Sequence, residues 1–302
     1  MITPRKIVKL CCDEDYRFNV LFPFGVYNRL SDEEYLKRFF KMRIGHFPNL
    51  DNPKTFNEKM QWLKLHDRNP KYTQMVDKYE AKKYVASIIG EEYIIPTLGI
   101  WEHFNDIDFN QLPNQFVLKC THDSGGLAIC KDKEEFDYLG TRTMINRSLK
   151  QNFYCIGREW PYKDVQPRII AEKYMQDGTY AFLPVYKVFN FSGKAKLIQA
   201  IQDDKQPNES IDYYDINWGK LELRQNYPNS KKPLKKPEKL KQMIDISEEL
   251  SSGIPFVRTD FYVINNDLYF SEFTFYSDSG FQKFIPPSWD EKLGEMISLP
   301  NN

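Results

Sequence analysis

The feature that most constrains this chain is a pair of alternating, β-rich runs near its C-terminus. Phe256-Val-Arg-Thr-Asp-Phe-Tyr-Val-Ile264 and Leu268-Tyr-Phe-Ser-Glu-Phe-Thr-Phe275 flank the turn signal Asn265-Asn-Asp267, which predicts an antiparallel hairpin. Side chains two apart share a strand face, so Arg258 and Asp260 point the same way, as do Glu272 and Thr274. With the turn at 265–267, Asp260 and Glu272 lie nearly opposite each other. Adjacent carboxylates repel unless a cation lies between them. Hard oxygen donors suit Mg²⁺, which binds one or two carboxylates and completes its shell with substrate phosphates. Arg258 beside them suits an anionic group on the same metal. The plainer alternative is a solvated strand on which Arg258 pairs with Asp260 or Glu272.

Further segments carry chemistry of the same kind. Gln115-Phe-Val-Leu-Lys-Cys120 predicts a strand, His122-Asp-Ser-Gly-Gly126 a turn, and Leu127-Ala-Ile-Cys130 a returning strand. Lys119 and the backbone N–H groups of Asp123, Ser124, Gly125 and Gly126 can surround phosphates there. An ordinary hairpin turn is the plainer alternative. Arg168 to Met175 predicts another strand, ending in Glu172-Lys173-Tyr174-Met175 beside the polar turn Gln176-Asp177-Gly178. Adenine needs an apolar sandwich, and ribose a carboxylate such as Asp177; a core strand end is the alternative. Lys187, on the next strand, offers a phosphate contact or is a surface lysine.

Upstream the chain reads as mostly helical. Helices are predicted over 31–45, with Ser31 and Glu34 as a capping box, over Thr55–His66 with Phe56, Met60 and Leu63 on one face, and over 71–89, stopping at Gly90. Residues 132–156 and 238–251 also read as helices. Lys205–Lys236, ending in the basic, Pro-rich Lys231-Lys-Pro-Leu-Lys-Lys-Pro237, reads as a loop outside the core. Its basic end offers contact to an acidic polysaccharide or lipid phosphate, or is merely solvated. The domain reading is a helical region over 1–90, then an α+β region over 91–302. The latter divides into a hairpin subdomain at about 112–175 and a metal-binding subdomain at about 176–302.

Strand–helix alternation is not the main pattern, and neither GxGxxG nor GxxxxGK[ST] occurs, which excludes the Rossmann and P-loop readings. Lys plus Arg and Asp plus Glu both number 42, so a dedicated nucleic-acid binder is not expected. Five cysteines without CxxC and four histidines without HxxxH argue against a disulfide framework or a zinc site. Acidic residues arrive at Asp13 before any long apolar run, and no run approaches the ~18 apolar residues of a membrane span. A cytoplasmic protein is expected. Val20 to Tyr27 reads as packing between lobes, with membrane-surface contact as the lesser alternative.

In their order, these elements resemble the ATP-grasp superfamily. Asp77-Lys78, Gly90 and Ile95-Pro96 are similar to its opening segment. Phe116–Lys119 with 122–126 is similar to its phosphate-covering hairpin, and Ile170–Met175 to its adenine-binding linker. Arg258-x-Asp260 with Glu272-x-Thr274 resembles its metal-binding hairpin, where Asn commonly stands in place of Thr274. The local wording goes further. Thr55-Phe-Asn-Glu-Lys-Met-Gln-Trp-Leu-Lys64, Val76-Asp-Lys-Tyr-Glu80, Leu118–Gly126, Phe273-Thr-Phe-Tyr276 before Ser279-Gly280-Phe281, and Trp289–Gly294 resemble the TupA-like branch, named for a teichuronopeptide biosynthesis protein. That resemblance spans roughly residues 25–300. Val185 stands where the branch is expected to carry an acidic residue.

The resemblance implies an ATP-grasp fold, two α+β subdomains clasping ATP behind a helical N-terminal region. It implies an ATP- and Mg²⁺-dependent carboxylate–amine ligase working through an acyl phosphate. Lys78, Lys119, Asp123, Ser124, Gly125, Gly126, Glu172, Lys173, Tyr174, Met175, Asp177 and Lys187 would meet the nucleotide. Asp260, Glu272 and Thr274 would meet the metal, Arg258 and Lys119 would serve catalysis, and Ser277, Ser279 and Gly280 would face the acceptor. The implied substrates are a sugar or amino acid carboxylate, free or lipid-linked, and an amine, in bacterial surface polysaccharide synthesis. The implied place is the cytoplasm, with the inner face of the membrane as an option. Competing readings are an ATP-dependent phosphotransferase, a glycosyltransferase (Asp106-Ile-Asp108 is a DxD by letter only, in a stretch that reads as a surface helix or turn) and an inert nucleotide-binding scaffold.

Overall fold

A computed structural model describes residues 4–300. Six helices come first: α1 (Pro4–Cys12), α2 (Glu14–Leu21), α3 (Asp32–Ile44), α4 (Phe56–His66), α5 (Lys71–Val76) and α6 (Lys78–Ile89). Then follow β1 (Thr97–Trp101), β2 (Phe116–Cys120), β3 (Leu127–Cys130), α7 (Tyr138–Ser148), α8 (Tyr154–Gly157) and β4 (Ile169–Lys173). The remainder holds β5 (Val185–Phe191), β6 (Lys194–Gln202), β7 (Ser210–Tyr214), α9 (Leu240–Leu250), β8 (Phe256–Ile264), β9 (Asp267–Thr274) and α10 (Ser288–Glu295). The strands make two antiparallel sheets, ordered β1-β4-β2-β3 and β7-β6-β5-β8-β9. This is the α+β, two-sheet ATP-grasp arrangement that the resemblance implies.

The larger core joins Phe56, Met60, Leu63, Met75 and Val85 of the early helices to Val188, Phe189, Phe261, Phe270 and Phe273 of the second sheet. Residues 56–89 are therefore packed into that sheet's core rather than forming a body of their own. A second core beneath the first sheet gathers Phe104, Phe116, Leu118, Ile145 and Ile169. A third, aromatic core joins Phe18, Tyr35, Phe39 and Phe40 to Phe281.

Several local expectations are corrected. The helix expected over 71–89 breaks at Asp77, whose extended backbone and side chain cap α6 by accepting from the Tyr79 and Glu80 N–H groups. The Lys78 N–H donates instead to the Thr121 carbonyl at 3.0 Å, which seats the start of α6 against the β2–β3 hairpin. A reciprocal capping box forms at Thr55 and Glu58; Ser31 caps α3, while the Glu34 carboxylate turns to Arg38. The 132–156 helix is two shorter ones. The first sheet begins at Thr97, before residue 112. The stretch expected to be a loop over 205–236 supplies β7, with Tyr213 buried at the sheet edge; its alternating Ile211, Tyr213 pattern is short and sits among polar residues. All five cysteines are free.

The β8–β9 hairpin carries a register detail that positions the site. Its turn is two residues long, with Asn265 and Asn266 both at positive φ (50° and 66°), a conformation that asparagine tolerates. A bulge then falls between the Phe261–Phe270 and Asp260–Glu272 pairs, leaving Ser271 unpaired. Without that extra residue Glu272 would point to the other face. The bulge brings it opposite Asp260 and lets both Phe270 and Phe273 reach the core.

Phe56 is fully buried and meets Phe256 at 5.1 Å and Phe284 at 6.0 Å between ring centroids. Phe56→Ala should cost about 3–5 kcal/mol of stability. Urea unfolding should show a lower midpoint in one transition that α4 and the second sheet lose together.

Candidate active site

One wall of the site comes from the first sheet and α6. On β2 and β4, Val117 pairs with Glu172 and Lys119 with Ile170, so Lys119 and Glu172 share a face. Glu172 is buried and bridges two ammoniums, Lys119 at 2.6 Å and Lys82 at 2.5 Å. Burial alone would raise the Glu172 carboxyl, but the two lysines outweigh it and hold it at about 2. The same ion pair overcomes burial at Lys119 and pushes that ammonium up.

The second wall is a row across three strands. Lys187 on β5 pairs with Asp260 on β8, and Asp260 with Glu272 on β9. Arg258 grips Asp260 with a fork, Nε to Oδ1 at 2.7 Å and Nη2 to Oδ2 at 2.8 Å. Arg258 also donates to Thr274 Oγ1 at 3.0 Å and Ser277 Oγ at 3.2 Å, and Lys187 Nζ lies 3.3 Å from Asp260 Oδ2. Arg258 is 7 % exposed and Asp260 1 %, so this is a buried, fully hydrogen-bonded pair.

The walls face each other. Burial would raise the Glu272 carboxyl, but Lys78, Lys187, Arg258 and Lys119 together hold it below the ordinary range. Those cations come from α6, β5, β8 and β2, so both sheets deliver charge to one place. A metal held here would find two carboxylates. Asp260 is already engaged by Arg258, whereas Glu272 lies in reach of four cations without closing a salt bridge to any among the described residues. No group of three His, Cys, Asp or Glu that could hold a metal occurs among the described residues. Such a donor set fits Mg²⁺ whose shell is completed by phosphate oxygens, and does not fit an all-protein cage.

The remaining expected site residues are placed as follows. Asp123 is buried below the β2–β3 tip: its carboxylate accepts from the Gly126 N–H at 3.1 Å and from the Ser148 hydroxyl, and its carbonyl accepts from Lys78 Nζ. Ser124 and Gly125 are exposed at the tip. A Cβ on Gly126 would lie 2.4 Å from Cys120 Sγ and 2.7 Å from Ser148 Oγ, so the close approach of the tip to α7 requires glycine. Lys173 is exposed, and Tyr174 and Met175 are half-buried at the end of β4. Asp177 accepts from the Thr179 and Asn265 N–H groups, both at 2.7 Å, tying the linker to the β8–β9 turn. Val185 is buried between Ile201 and Tyr262.

The residues expected to face the acceptor, Ser277, Ser279 and Gly280, are held from within. Ser277 Oγ accepts from Arg258 and from Gln282 Nε2 at 2.8 Å. Ser279 accepts Lys64 Nζ at both its carbonyl (2.8 Å) and its hydroxyl (3.0 Å), and a Cβ on Gly280 would strike Met60 and Gln61. Asp278, Ser279 and Gly280 all have positive φ, a run of strained backbone pinned by α4.

Sequence reading missed Lys82, Lys64, Glu159 and Tyr162. Lys82 had a signal, since it sits one turn after Lys78 on the same helix face. Lys64 lies one residue after the apolar Leu63, and Glu159 and Tyr162 lie in an irregular connection; none of these carries a periodic signal. Tyr162 comes within electrostatic reach of Glu159, Glu272, Arg258 and Asp260, and burial, followed by these carboxylates, pushes its phenol well up.

Among curated proteins none matched. Among solved structures, D-alanine–D-alanine ligase from Bacillus anthracis complexed with ATP is 17% identical, with 80% of this chain and 66% of that chain covered and a TM-score of 0.42. The Helicobacter pylori enzyme of the same name is 16% identical, covering 82% and 68%, with a TM-score of 0.43. The ATP-grasp ligase PsnB, complexed with minimal precursor, Mg and ADP, is 8% identical, covering 72% and 56%, with a TM-score of 0.38. The chain thus spans about two thirds of the length of the first of these ligases. The model of the family described as TupA-like ATPgrasp matches residues 58–298, a stretch holding both sheets and every residue of the two facing walls, and the chain belongs to that family.

Proposed function

We propose that the chain is an ATP-dependent carboxylate–amine ligase that uses ATP and Mg²⁺. The observation that carries the reading is the meeting of Lys78 from α6 and Lys119 from the first sheet with Lys187, Arg258 and Glu272 from the second. Cations from two walls and a carboxylate pair suit a triphosphate with its metal, lying along the seam. Lys78, Lys119 and Lys187 neutralise phosphate oxygens. Asp260 and Glu272, with Thr274 beside them, would hold Mg²⁺, which would supply Lewis-acid polarisation of the phosphoryl group. Glu172 keeps Lys119 and Lys82 charged and aimed. Tyr174 and Met175 flank the base, Asp177 orders the linker near the ribose, and Asp123, Ser124, Gly125 and Gly126 form the cover that excludes water.

The reaction runs in two transfers. A substrate carboxylate oxygen attacks the terminal phosphorus, and ADP leaves. The amine nitrogen then attacks the acyl carbon, inorganic phosphate leaves, the nitrogen gives up its proton and an amide remains. Arg258, at the edge of the row, stabilises the oxyanion of that attack. Ser277, Ser279 and Gly280 shape the acceptor end. The substrate class we favour is the carboxylate of a uronic acid or amino acid in surface polysaccharide synthesis. The basic run at 231–236 offers a contact to such an acidic polymer or its lipid carrier at the inner membrane face. No helix among the described residues is long and apolar enough to cross a membrane.

The direct test supplies protein, ATP, Mg²⁺ and a panel of uronic acids and amino acids paired with amines. ADP, phosphate and a product of mass equal to acid plus amine minus water support the ligase. A phosphorylated product instead would make it a phosphotransferase. Glu272→Gln should lower Mg²⁺-dependent ATP turnover by about 100-fold. Its unfolding midpoint should fall modestly, because the cations around Glu272 favour its ionised form in the folded protein; unchanged turnover would sink the metal assignment.

Glu172 also sets a pH signature. Its folded pKa of about 2 lies below the unfolded value of about 4.3, so its stabilisation is complete above that range and fades as pH falls toward 2. Glu172→Gln should cost about 3–5 kcal/mol at pH 7 by leaving two buried ammoniums unpaired. In urea titrations at stepped pH, the gap to the unsubstituted protein should narrow below pH 4.

A further inference from the structure

Residues 4–30 precede the stretch that the family model matches, and they hold an exposed apolar turn and a basic helix. Two aromatic anchors fix the turn. The Phe22 ring lies 5.1 Å from Phe39 and 6.1 Å from Phe18, and the Tyr27 ring lies 4.6 Å from the buried Phe18. Arg158 Nη2 donates to the Asn28 carbonyl at 3.0 Å, which ties the segment to the connection after α8. Gly25 reverses the chain at a φ of 72°. Between the anchors, Phe24 is 77 % exposed and Val26 56 %. The turn is thus held in place with two apolar side chains in water. Helix α1 adds Val8, 60 % exposed, and the exposed Cys12 one turn later on the same face.

Charge indicates what covers these side chains. Helix α1 carries Arg5, Lys6 and Lys9 and no acidic residue. Lys6, Lys9 and Arg29 are exposed, and none of them closes a salt bridge among the described residues. The acids that follow α1 are answered from elsewhere. Arg38 of α3 takes Glu14, Lys41 takes Asp15 at 2.7 Å, and Asp13 caps α2 by accepting from the Tyr16 N–H at 2.9 Å. The segment therefore combines exposed apolar side chains with unspent positive charge. A stable protein interface buries about 800 Å² per partner around a charge-depleted centre, whereas here the apolar residues are few and stand among cations. An anionic bilayer suits the combination: its headgroups attract Lys and Arg, and a few apolar side chains enter the acyl boundary. We propose that α1 and the turn at 22–27 dock the protein on an anionic lipid surface, with Phe24 and Val26 entering the acyl boundary and Lys6, Lys9 and Arg29 at the headgroups. The docking goes beyond the ligase reading and does not depend on it.

The test sediments the full chain with vesicles of phosphatidylcholine alone, or of phosphatidylcholine with about 30 mol% phosphatidylglycerol, at about 50 and about 500 mM NaCl. The anionic vesicles should bind the protein at low salt about tenfold or more tightly than the neutral ones, and high salt should weaken that binding. Phe24→Ser should weaken it about tenfold, and Lys6→Glu with Lys9→Glu about tenfold or more. All three positions are exposed, so the unfolding midpoints of these variants should match the unsubstituted protein. Lys231→Glu with Lys232→Glu, in the basic loop, should matter less than the Lys6 and Lys9 pair. No sedimentation with anionic vesicles, equal binding to neutral ones, undiminished binding by Phe24→Ser, or a greater loss from the loop pair than from the α1 pair would each overturn the docking. So would a concentration-dependent dimer in sedimentation velocity that Phe24→Ser dissolves while vesicles go unbound, since the turn would then be a contact between copies.

Discussion

The Arg258–Asp260 fork is the interaction on which the site depends. It buries a guanidinium and a carboxylate in the middle of the second sheet, and each of its free directions is used. Arg258 reaches Thr274 and Ser277, and Asp260 meets Lys187. A buried pair like this contributes little net stability but is costly to break, so it fixes geometry more than it adds free energy. With Asp260 held from one side, Glu272 is left as the uncommitted carboxylate, and the surrounding lysines keep it ionised. A second fixed pair, Glu172 with Lys82 and Lys119, does the same for the opposite wall.

Helix α4 holds the Asp278–Gly280 turn by way of Lys64 and Gln61, and α6 seats Lys78 against the β2–β3 hairpin. Asn57 on α4 binds the Gln282 backbone, and Gln282 in turn donates to Ser277, which Arg258 also holds. The early helices therefore frame the candidate site and share a core with the second sheet.

Much of this was legible in the sequence because it depends on local pattern. The β8–β9 hairpin, the Arg258/Asp260 and Glu272/Thr274 faces, and the β2–β3 hairpin with Lys119 follow from period-two alternation and turn residues. The opposition of Asp260 and Glu272 was reached with a three-residue turn, whereas the structure uses a two-residue turn and a bulge at Ser271. The two routes give the same register, since each adds one residue to the same arm. The break at Asp77 and the strand β7 were not legible. A capping aspartate inside a helical period and a short strand among polar residues are both decided by what they dock against.

What the sequence alone determined is which charged residues share a strand face, because side-chain direction follows from backbone period without reference to the rest of the molecule. What only the tertiary structure decided is the partner of each charge. Glu172 reads as a nucleotide contact in sequence and is a clamp on two lysines in space. Lys64 reads as an ordinary helix position and is a buried strut. Glu159 has no motif at all and is buried in space. Those outcomes depend on burial and on distances between segments far apart in the chain, as with Lys64 and Ser279, 215 residues apart. Desolvation, which makes each pairing matter, exists only once the two sheets and the early helices close around them.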